Sequence, residues 1–418
     1  MKKRLILLAA LFPFPALAAE ASYPDLPPLS QVEAALNSNV NVMTAETGIK
    51  VEQANQRRWE AGNHEFNLRM GAAHRHVVNT ERRVPEWDVA LERPIRLPGK
   101  SGIDSSIGAE GVAHAEFVLG DSRHEAGRQL LHLWFNWQRA RAQAGQWQEQ
   151  VDILTQQAAM TEKRLAAGDA PRMELNQARA AVAQAAVALQ QARVRTETAA
   201  SEIARQFPDL VLPLQLQPSE PQPVSHDLAY WRARILDSNH ELGMAQSEAR
   251  IQQLKAERSR ADRTADPTLG IRYSSEMGGN ERVTGVYVVV PFSFGVREAV
   301  ADGATYRADI AAERESAVRR RLEQDALNAY NQGVGNFETW KQAHEAATGM
   351  RQNADLMARA YGLGESSLSD VLTARRLALE AALTETVAQL DANEAHYRLL
   401  LDAHMLWPLD EHAADARR

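Results

Sequence analysis

Cysteine is absent from the 418-residue chain. Its absence excludes a disulfide framework and any cysteine-ligated zinc or iron–sulfur site. Positive charge is not in excess either, since 47 Lys and Arg residues face 54 Asp and Glu residues, and this balance argues against a nucleic-acid partner. Aromatic residues make up only 6% of the chain, while alanine and glutamine are abundant. This composition suits long helices packed against each other better than a thick globular core.

Long apolar runs are also missing. After residue 19 no stretch reaches the roughly 18 apolar residues of a transmembrane helix, although membrane strands need only about 9–11 residues each. The N-terminus carries a basic start at Lys2–Arg4, an apolar segment over 5–17 and the small residues of Ala16-Leu17-Ala18. This pattern predicts a secretory signal peptide over 1–18. The alternative, a membrane anchor, is disfavoured by the short segment and its two prolines.

An internal repeat organises the rest of the chain. Three collinear matches support a duplication: 37–45 with 237–245, 168–179 with 364–375, and 92–100 with 289–297. Five prolines fall between 207 and 225, which predicts an extended linker between the two copies. The predicted units are a first repeat at 19–206, a linker at 207–225, a second repeat at 226–406 and a polar C-terminal tail at 407–418.

Each repeat predicts a helix, two strands, a long helix and a shorter helix. A helix over 30–62 begins at Ser30, which we interpret as an N-cap. Apolar residues then alternate with polar ones at period two, as in strands with one apolar face, and the last strand is expected over Val283–Phe294. The predicted elements are β-hairpins at 66–97 and 268–296, long helices at 100–163 and 297–362, and shorter helices at 170–206 and 366–406.

Four strands cannot close a barrel, because about eight are needed before side chains can fill the interior. If the apolar faces meet lipid, several chains must contribute, and three chains would supply twelve strands, an even number as in bacterial outer-membrane barrels. The expected fold is therefore a mainly α-helical protomer with a membrane β-barrel shared between copies. A soluble, half-buried sheet with one polar face remains open on the pattern alone.

Four segments carry a family resemblance: YGLGESSLSDVLTARR (361–376), ALNSNVNVMTAETGIKVEQA (35–54), the strand pattern of 267–295, and LERPIRLPGK (91–100). Together with the duplicated plan, they resemble the TolC family of outer-membrane efflux proteins over about 30–406. The stretch 91–100 is similar to the CzcC-like branch, which serves heavy-metal exporters. The resemblance implies a homotrimer with a twelve-stranded β-barrel in the outer membrane and a long α-helical barrel in the periplasm.

The resemblance also implies a function and a set of partners. The chain would be the exit duct of a tripartite efflux system, exporting heavy-metal cations with a periplasmic adaptor and an inner-membrane pump of the resistance–nodulation–division type. One alternative is a duct for organic drugs or for type I protein secretion. Another, from a different class, is a soluble periplasmic coiled-coil adaptor or scaffold.

The two helix–turn–helix segments are the expected adaptor-docking tips, because they match the periplasmic tips of the family. Glycine-centred turns expose backbone groups, and polar side chains beside them can bond to a partner, although an ordinary solvent-exposed turn would look the same. The candidate docking residues are Gly168, Asp169, Gly364, Glu365, Ser366 and Ser367.

Charged residues suggest two further parts of a pore. Glu174 and Asp370 follow the tips, and in a trimer each would form a ring of three carboxylates that favours cations at a periplasmic gate. The alternative for both is a solvated helix face or a local ion pair. In the strands, the polar positions give a mixed-charge set that fits a water-filled lumen: Arg69, Arg75, Asp88, Glu92 and Arg272.

No catalytic constellation is found in the sequence. His124-Glu125 and His344-Glu345 lack the second histidine of a zinc-protease motif, and no Gly-rich phosphate loop is present. His74 and His76 lie two residues apart on one strand but lack an apparent third metal ligand. We therefore expect no enzyme activity, no cofactor and no resident metal site.

Overall fold

The computed structural model describes residues 23–214, 216, 218–407 and 409. The predicted signal peptide over 1–18 and the tail from 410 onward lie outside the described residues. In the first half of the chain the elements are α1 (Leu29–Asn37), α2 (Val40–Ala61), β1 (Asn67–Val77), β2 (Arg82–Pro94), α3 (Lys100–Ala166) and α4 (Arg172–Gln206). In the second half they are α5 (Leu228–Asp237), α6 (His240–Ala261), β3 (Thr268–Glu276), β4 (Glu281–Val289), α7 (Val296–Gly362) and α8 (Leu368–Asp402).

The two halves contain the same elements in the same order, and corresponding long helices have equal lengths. α3 and α7 have 67 residues each, and α4 and α8 have 35 each. At a rise of 1.5 Å per residue, the long helices each extend about 100 Å. Among the described residues, the hydropathy of the helices is too low throughout for any of them to span a bilayer.

The single helix predicted over 30–62 is wrong, because the chain forms two helices there. Asn39 begins a new helix by accepting a hydrogen bond from the backbone N–H of Asn41 at 2.9 Å. Ser30 is not the N-cap of the first helix, since Pro28 occupies that position without a side-chain cap. Asn239 plays the same part as Asn39 at the start of α6. An asparagine cap inside an otherwise helical pattern therefore marks a real break.

The last strand is shorter than the predicted Val283–Phe294 and ends at Val289. The alternation of apolar residues continues past that point, but Pro291 has no N–H to contribute to a strand ladder. β4 is an edge strand of a single antiparallel sheet with the order β1-β2-β3-β4. Beyond Pro291, the two phenylalanines of the predicted strand, Phe292 and Phe294, are 86% and 97% exposed.

Helix α3 lies at the centre of the helical part and contacts α2, α4, α6 and α8. Helix α7 contacts α5, α6 and α8, while α2 and α4 pack mainly on α3. The protomer therefore has two helical edges, one formed by α7 and the other by α2 and α4.

The main hydrophobic core lies around the middle of α3, where Trp134 and Phe135 are almost fully buried. α8 contributes Leu390 and Leu399–Leu401, and the segment before α1 is tied to the same core. The indole Nε1 of Trp134 donates to the carbonyl oxygen of Asp25 at 2.7 Å, and the Asp25 carboxylate accepts from the Tyr397 hydroxyl at 2.6 Å. These bonds satisfy the buried polar groups of the N-terminal segment, which would otherwise destabilise the core.

Two segments expected to be peripheral take part in this core. Phe207 and Leu210 of the proline-rich linker are buried, and the Ser219 carbonyl oxygen accepts from Asn393 at 2.8 Å. Trp407 and Leu409, assigned by sequence to the tail, are also buried. The linker therefore packs as a strap across the helices, because its apolar residues find the core even though proline excludes regular structure.

Candidate functional site

The sheet has one charged face. The strand register puts Arg69 opposite Ala90 and Ala90 opposite Arg272, and it puts Asp88 opposite Ser274. Since side chains of a strand alternate between faces, all five predicted polar residues lie on the same side of the sheet: Arg69, Arg75, Asp88, Glu92 and Arg272. The structure therefore brings together the set that the sequence assigned to a lumen.

Ion pairs and hydrogen bonds connect the strands across this face. Arg75 binds Glu86 through Nε at 2.6 Å and Glu276 through Nη2 at 3.1 Å. Nearer the helices, the Tyr287 hydroxyl donates to Glu92 at 2.7 Å. These contacts join all four strands, so the polar face is a connected network with both signs of charge.

The opposite face of the sheet is apolar and exposed. The register aligns Leu68 with Leu91, Leu91 with Ile271, and Ile271 with Val286. These side chains are between 44% and 84% exposed in the single chain. A contiguous apolar surface of this kind is typical of contact with lipid or with another protein.

A buried charge cluster joins the sheet to the long helices. The ammonium group of Lys100, 3% exposed, lies 2.9 Å from a carboxylate oxygen of both Asp262 and Asp266. Asp104 is equally buried and accepts from Arg258 Nε at 2.6 Å. Burial favours a raised pKa for Asp266, but the hydrogen bonds from Lys100, the Leu97 N–H and His64 outweigh it and lower that pKa. These hydrogen bonds thus keep the Asp266 carboxylate ionised, and the cluster ties the two halves together where strands become helices.

Two glycine turns form the far end of the helical part. Gly168 and Gly364 have φ angles of +79° and +80°, in the left-handed region that glycine adopts without strain. Each turn closes its helix with a backbone bond spanning five residues, from Asp169 N to Arg164 O and from Glu365 N to Ala360 O. The two turns have the same backbone geometry, a Schellman-type helix ending.

The side chains at the two turns differ. Asp169 pairs with Arg164 at 3.0 Å. In the second turn Ser367 and Asp370 form a reciprocal capping box at the start of α8. Of the six candidate docking residues, Gly168, Asp169, Gly364, Glu365 and Ser367 are exposed and Ser366 is half-buried.

The two candidate gate acids occupy equivalent positions but have different local partners. Glu174 accepts a hydrogen bond from the Tyr361 hydroxyl at 2.9 Å, which connects the first helical hairpin to the second. Burial and this bond raise the pKa of Tyr361, and the guanidinium of Arg164 lies 4.9 Å from the centre of the Tyr361 ring. The Asp370 carboxylate instead accepts a hydrogen bond from the Ser367 N–H at the start of its own helix, and the Asp370 N–H donates to the Ser367 hydroxyl. Only Glu174 therefore connects two hairpins within one chain.

Sequence reasoning missed Arg164, Tyr361 and the buried cluster around Lys100. A lysine directly after Pro-Gly and aspartates before a strand carry no distinctive spacing, so only the fold reveals their contacts. Among the residues that the structure describes, no group of three histidine or acidic side chains could hold a metal ion.

No protein-family model and no curated protein matches the sequence. Solved structures do match: the CmeC outer membrane channel of Campylobacter jejuni (TM-score 0.70, 15% identity) covers 93% of this chain, with 88% of its own length matched. The outer membrane protein VceC of Vibrio cholerae (TM-score 0.71, 15% identity) covers 91% of this chain and is itself matched over 98%.

CusC, a protein whose structures concern folding and transmembrane channel formation, is similar over 90% of this chain and 91% of its own (TM-score 0.68, 15% identity). At such identities the likeness establishes the fold alone. The chain has the TolC-like fold of outer membrane channels, mainly helical with a small sheet that is open in the single chain.

Proposed function

We propose that this protein is the outer-membrane exit duct of a tripartite efflux system and that heavy-metal cations are its cargo. The observation that carries the proposal is the two-faced sheet at one end of helices about 100 Å long. An exposed apolar face suits lipid, and a connected polar face suits water. The strands would span the outer membrane while the helices cross the periplasm.

A homotrimer completes the duct. The outer edges of β1 and β4 have no strand partner among the described residues, and unpaired edges in lipid are strongly unfavourable. Three four-stranded sheets joined edge to edge would form a twelve-stranded barrel. The helical edges fit the same arrangement, since α7 of one copy can pack on α2 and α4 of the next.

The lumen and the gate follow from this assembly. The mixed-charge face, with Arg69, Arg75, Asp88, Glu92 and Arg272, would line the water-filled pore. At the other end, Glu174 is the stronger gate candidate, because releasing it from Tyr361 separates two hairpins without opening a helix terminus. Asp370 would contribute to the same ring of acids but also holds the start of α8.

The glycine turns are the proposed docking tips for a periplasmic adaptor, which would connect the duct to an inner-membrane pump of the resistance–nodulation–division type. Their exposed polar groups, at Gly168–Asp169 and Gly364–Ser367, support this assignment. Metal cargo is supported by the resemblance of 91–100 to the CzcC-like branch and by carboxylates near the periplasmic entrance, which favour cations.

A matched pair of variants tests the membrane duct directly. Val286 is 84% exposed on the apolar face, whereas its neighbour Gly285 points to the polar face and has open space around it. We expect Val286→Arg to be lost from the outer membrane, since arginine in the apolar band costs about 2–4 kcal/mol. Gly285→Arg should insert, form heat-labile trimers and shift the single-channel selectivity in planar bilayers towards anions.

One outcome of the same experiment would contradict the duct. If the wild type were recovered as a soluble periplasmic monomer without conductance, the duct would be rejected. That result would favour the second alternative, a soluble coiled-coil adaptor or scaffold.

The cargo is tested by gene deletion and complementation. We expect the deletion strain to lose tolerance to heavy-metal cations and to regain it with the wild-type gene but not with Val286→Arg. Unchanged metal tolerance with lost tolerance to organic drugs, or with lost secretion of a protein, would reject the metal cargo while leaving the duct intact.

A further inference from the structure

The acidic residues of the strands all lie on one face of the sheet. Side chains alternate between the two faces along each strand, and the strand register then places all five acidic residues of the strands on the polar face: Glu86, Asp88, Glu92, Glu276 and Glu281. The apolar face has no acidic residue in its strands, yet it is not free of charge. Its basic residues are His74, His76, Arg83, Arg93 and Arg282.

Three of these residues lie together at the end of the sheet away from the helices. His76 lies directly opposite Arg83, and His74 is one step nearer the apolar band. Arg282 is separate from them: it lies opposite Ser275, which in turn lies opposite Trp87, so it is two strands away from β2 and nearer the helices than Arg83. All four residues are exposed.

These basic residues differ from the arginines of the polar face in their side-chain contacts. Arg75 and Arg272 approach carboxylates, and Arg69 lies against the ring of Tyr287. In contrast, no described residue makes a side-chain hydrogen bond or an ion pair with His74, His76, Arg83 or Arg282. An external anion is therefore the counter-charge that this cluster lacks.

The height of the cluster identifies where the anion lies. Arg93 and Arg83 bound the apolar band on β2, ten residues apart, which corresponds to about 33 Å along a strand and about 25 Å of height at a tilt near 40°. An outer-membrane apolar band has about this height. The cluster thus falls at the level of the lipid headgroups on the side away from the periplasm.

We propose that Arg83, His74 and His76 form a binding site for a phosphorylated lipid of the outer leaflet. Its acyl chains would lie along Leu91, Ile271 and Val286, and a phosphate group would accept hydrogen bonds from Arg83. Guanidinium groups suit this task because they offer several donors to phosphate oxygens. The inference rests on the proposed membrane position but adds a lipid ligand and its residues.

Neighbouring arginines provide a matched test. Arg82 and Arg83 are adjacent and exposed, but they lie on opposite faces of β2. The detergent-solubilised full-length trimer is titrated with lipid A, an acylated disaccharide carrying two phosphates, and bound lipid is counted by native mass spectrometry. We expect the affinity to fall about tenfold in Arg83→Gln, because the phosphate loses charge-assisted hydrogen bonds from the guanidinium group. Arg82→Gln should bind as the wild type does.

Three further arms separate the sources of phosphate. Monophosphoryl lipid A should bind more weakly than lipid A, vesicles of phosphatidylethanolamine alone should not compete, and inorganic phosphate should not displace the lipid. Binding by Arg83→Gln equal to that of the wild type, an equal loss in Arg82→Gln, or displacement by inorganic phosphate would overturn the lipid site. Loss of the wild type from the outer membrane would instead reject the duct itself, so the two failures are distinguishable.

Discussion

Helices α3 and α7 have the same length and the same place in their repeats, but they are buried differently. α3 lies between four other helices and buries large side chains such as Trp134, Phe135 and Trp137. The buried residues of α7 are mostly alanines, and it leaves Tyr306, Ile310 and Leu356 more than half exposed. Two helices of equal length and equivalent position therefore lie at different places in the protomer, α3 at its centre and α7 at its edge.

This difference shows what duplication preserves and what it does not. Chain direction, helix length and the glycine turns are common to both repeats, because they depend on local geometry. The buried residues differ with the neighbours of each helix: α3, which packs against four helices, buries Trp134, Phe135 and Trp137, whereas the buried aromatic residues of α7 are Trp340 and Tyr361. The edge role of α7 is what the proposed trimer would use.

The largest expected effect comes from removing the aromatic centre of α3. Trp134→Ala should lower the free energy of unfolding by about 3–5 kcal/mol, because it leaves a cavity and removes one of the two hydrogen bonds, from Trp134 and Gln138, that the buried Asp25 carbonyl oxygen accepts. The equivalent residue in α7 is the half-buried Tyr330, whose change to alanine should cost about 1–2 kcal/mol. Denaturant titration followed by circular dichroism measures both, and equal losses would contradict the centre-and-edge contrast.

A second contrast lies at the starts of the two helices. Lys100→Met leaves the carboxylates of Asp262 and Asp266 without their buried cation and should destabilise by about 3 kcal/mol. Arg297, near the start of α7, is half-buried and donates only to the Asp262 carbonyl oxygen at 2.8 Å. Arg297→Met should therefore cost about 1 kcal/mol. The same denaturant titration measures both losses of stability. A larger loss in Arg297→Met than in Lys100→Met would show that α7 anchors the junction between the sheet and the helices.

A third prediction concerns pH and His124 of α3. Burial lowers the pKa of His124 to about 3, helped by Arg128 and His404 and opposed by Asp402 and the Leu401 carbonyl. The ring of His240 in α6 lies near it as well. In the unfolded state the His124 imidazole binds a proton near pH 6.5, whereas in the native state it does not. The free energy of unfolding therefore falls as the pH decreases below 6.5. The loss should reach about 2 kcal/mol at pH 5.

A glutamine variant isolates this effect. His124→Gln should weaken the pH dependence of the free energy of unfolding between pH 6.5 and 5, measured by denaturant titration at both pH values. A wild-type pH slope in His124→Gln would refute the assignment to this buried histidine.

The smallest effect is expected at the helix starts after the glycine turns. Ser367→Ala removes half of the capping box of α8 and should cost about 1 kcal/mol, with faster amide exchange in its first turn. The equivalent Pro171 caps α4 without a side-chain bond, so Pro171→Ala should change stability little. Hydrogen exchange measured at both tips compares the two variants. Equal losses of amide protection in Ser367→Ala and Pro171→Ala would show that the two helix starts do not differ.

Much of the fold could be predicted from local patterns. Alternating residues predicted the two-faced sheet, and Gly168 and Gly364 predicted the turns, because periodicity and positive φ angles are encoded by neighbouring residues. The break before Asn39 and the end of β4 at Val289 were missed. In both cases one residue, an asparagine cap or Pro291, overrides a pattern that otherwise continues.

Side-chain partners were predicted less well than positions. Alternation placed Arg75 and Asp88 on one face, but the pairing of Arg75 with Glu86 and Glu276 depends on the register between strands distant in sequence. Glu174 and Asp370 were treated as equivalents because they match in the repeat. Their environments differ since Tyr361 in one repeat corresponds to Leu165 in the other.

Composition and periodicity were sufficient for the long helices, the strand faces and the absence of cysteine chemistry, because these depend on single residues and their near neighbours. Tertiary structure alone decided that α3 is central and α7 peripheral, that the proline-rich linker packs into the core, and that Lys100 meets two aspartates more than 160 residues away. Such contacts join segments with no local relation, so they exist only once the chain has folded.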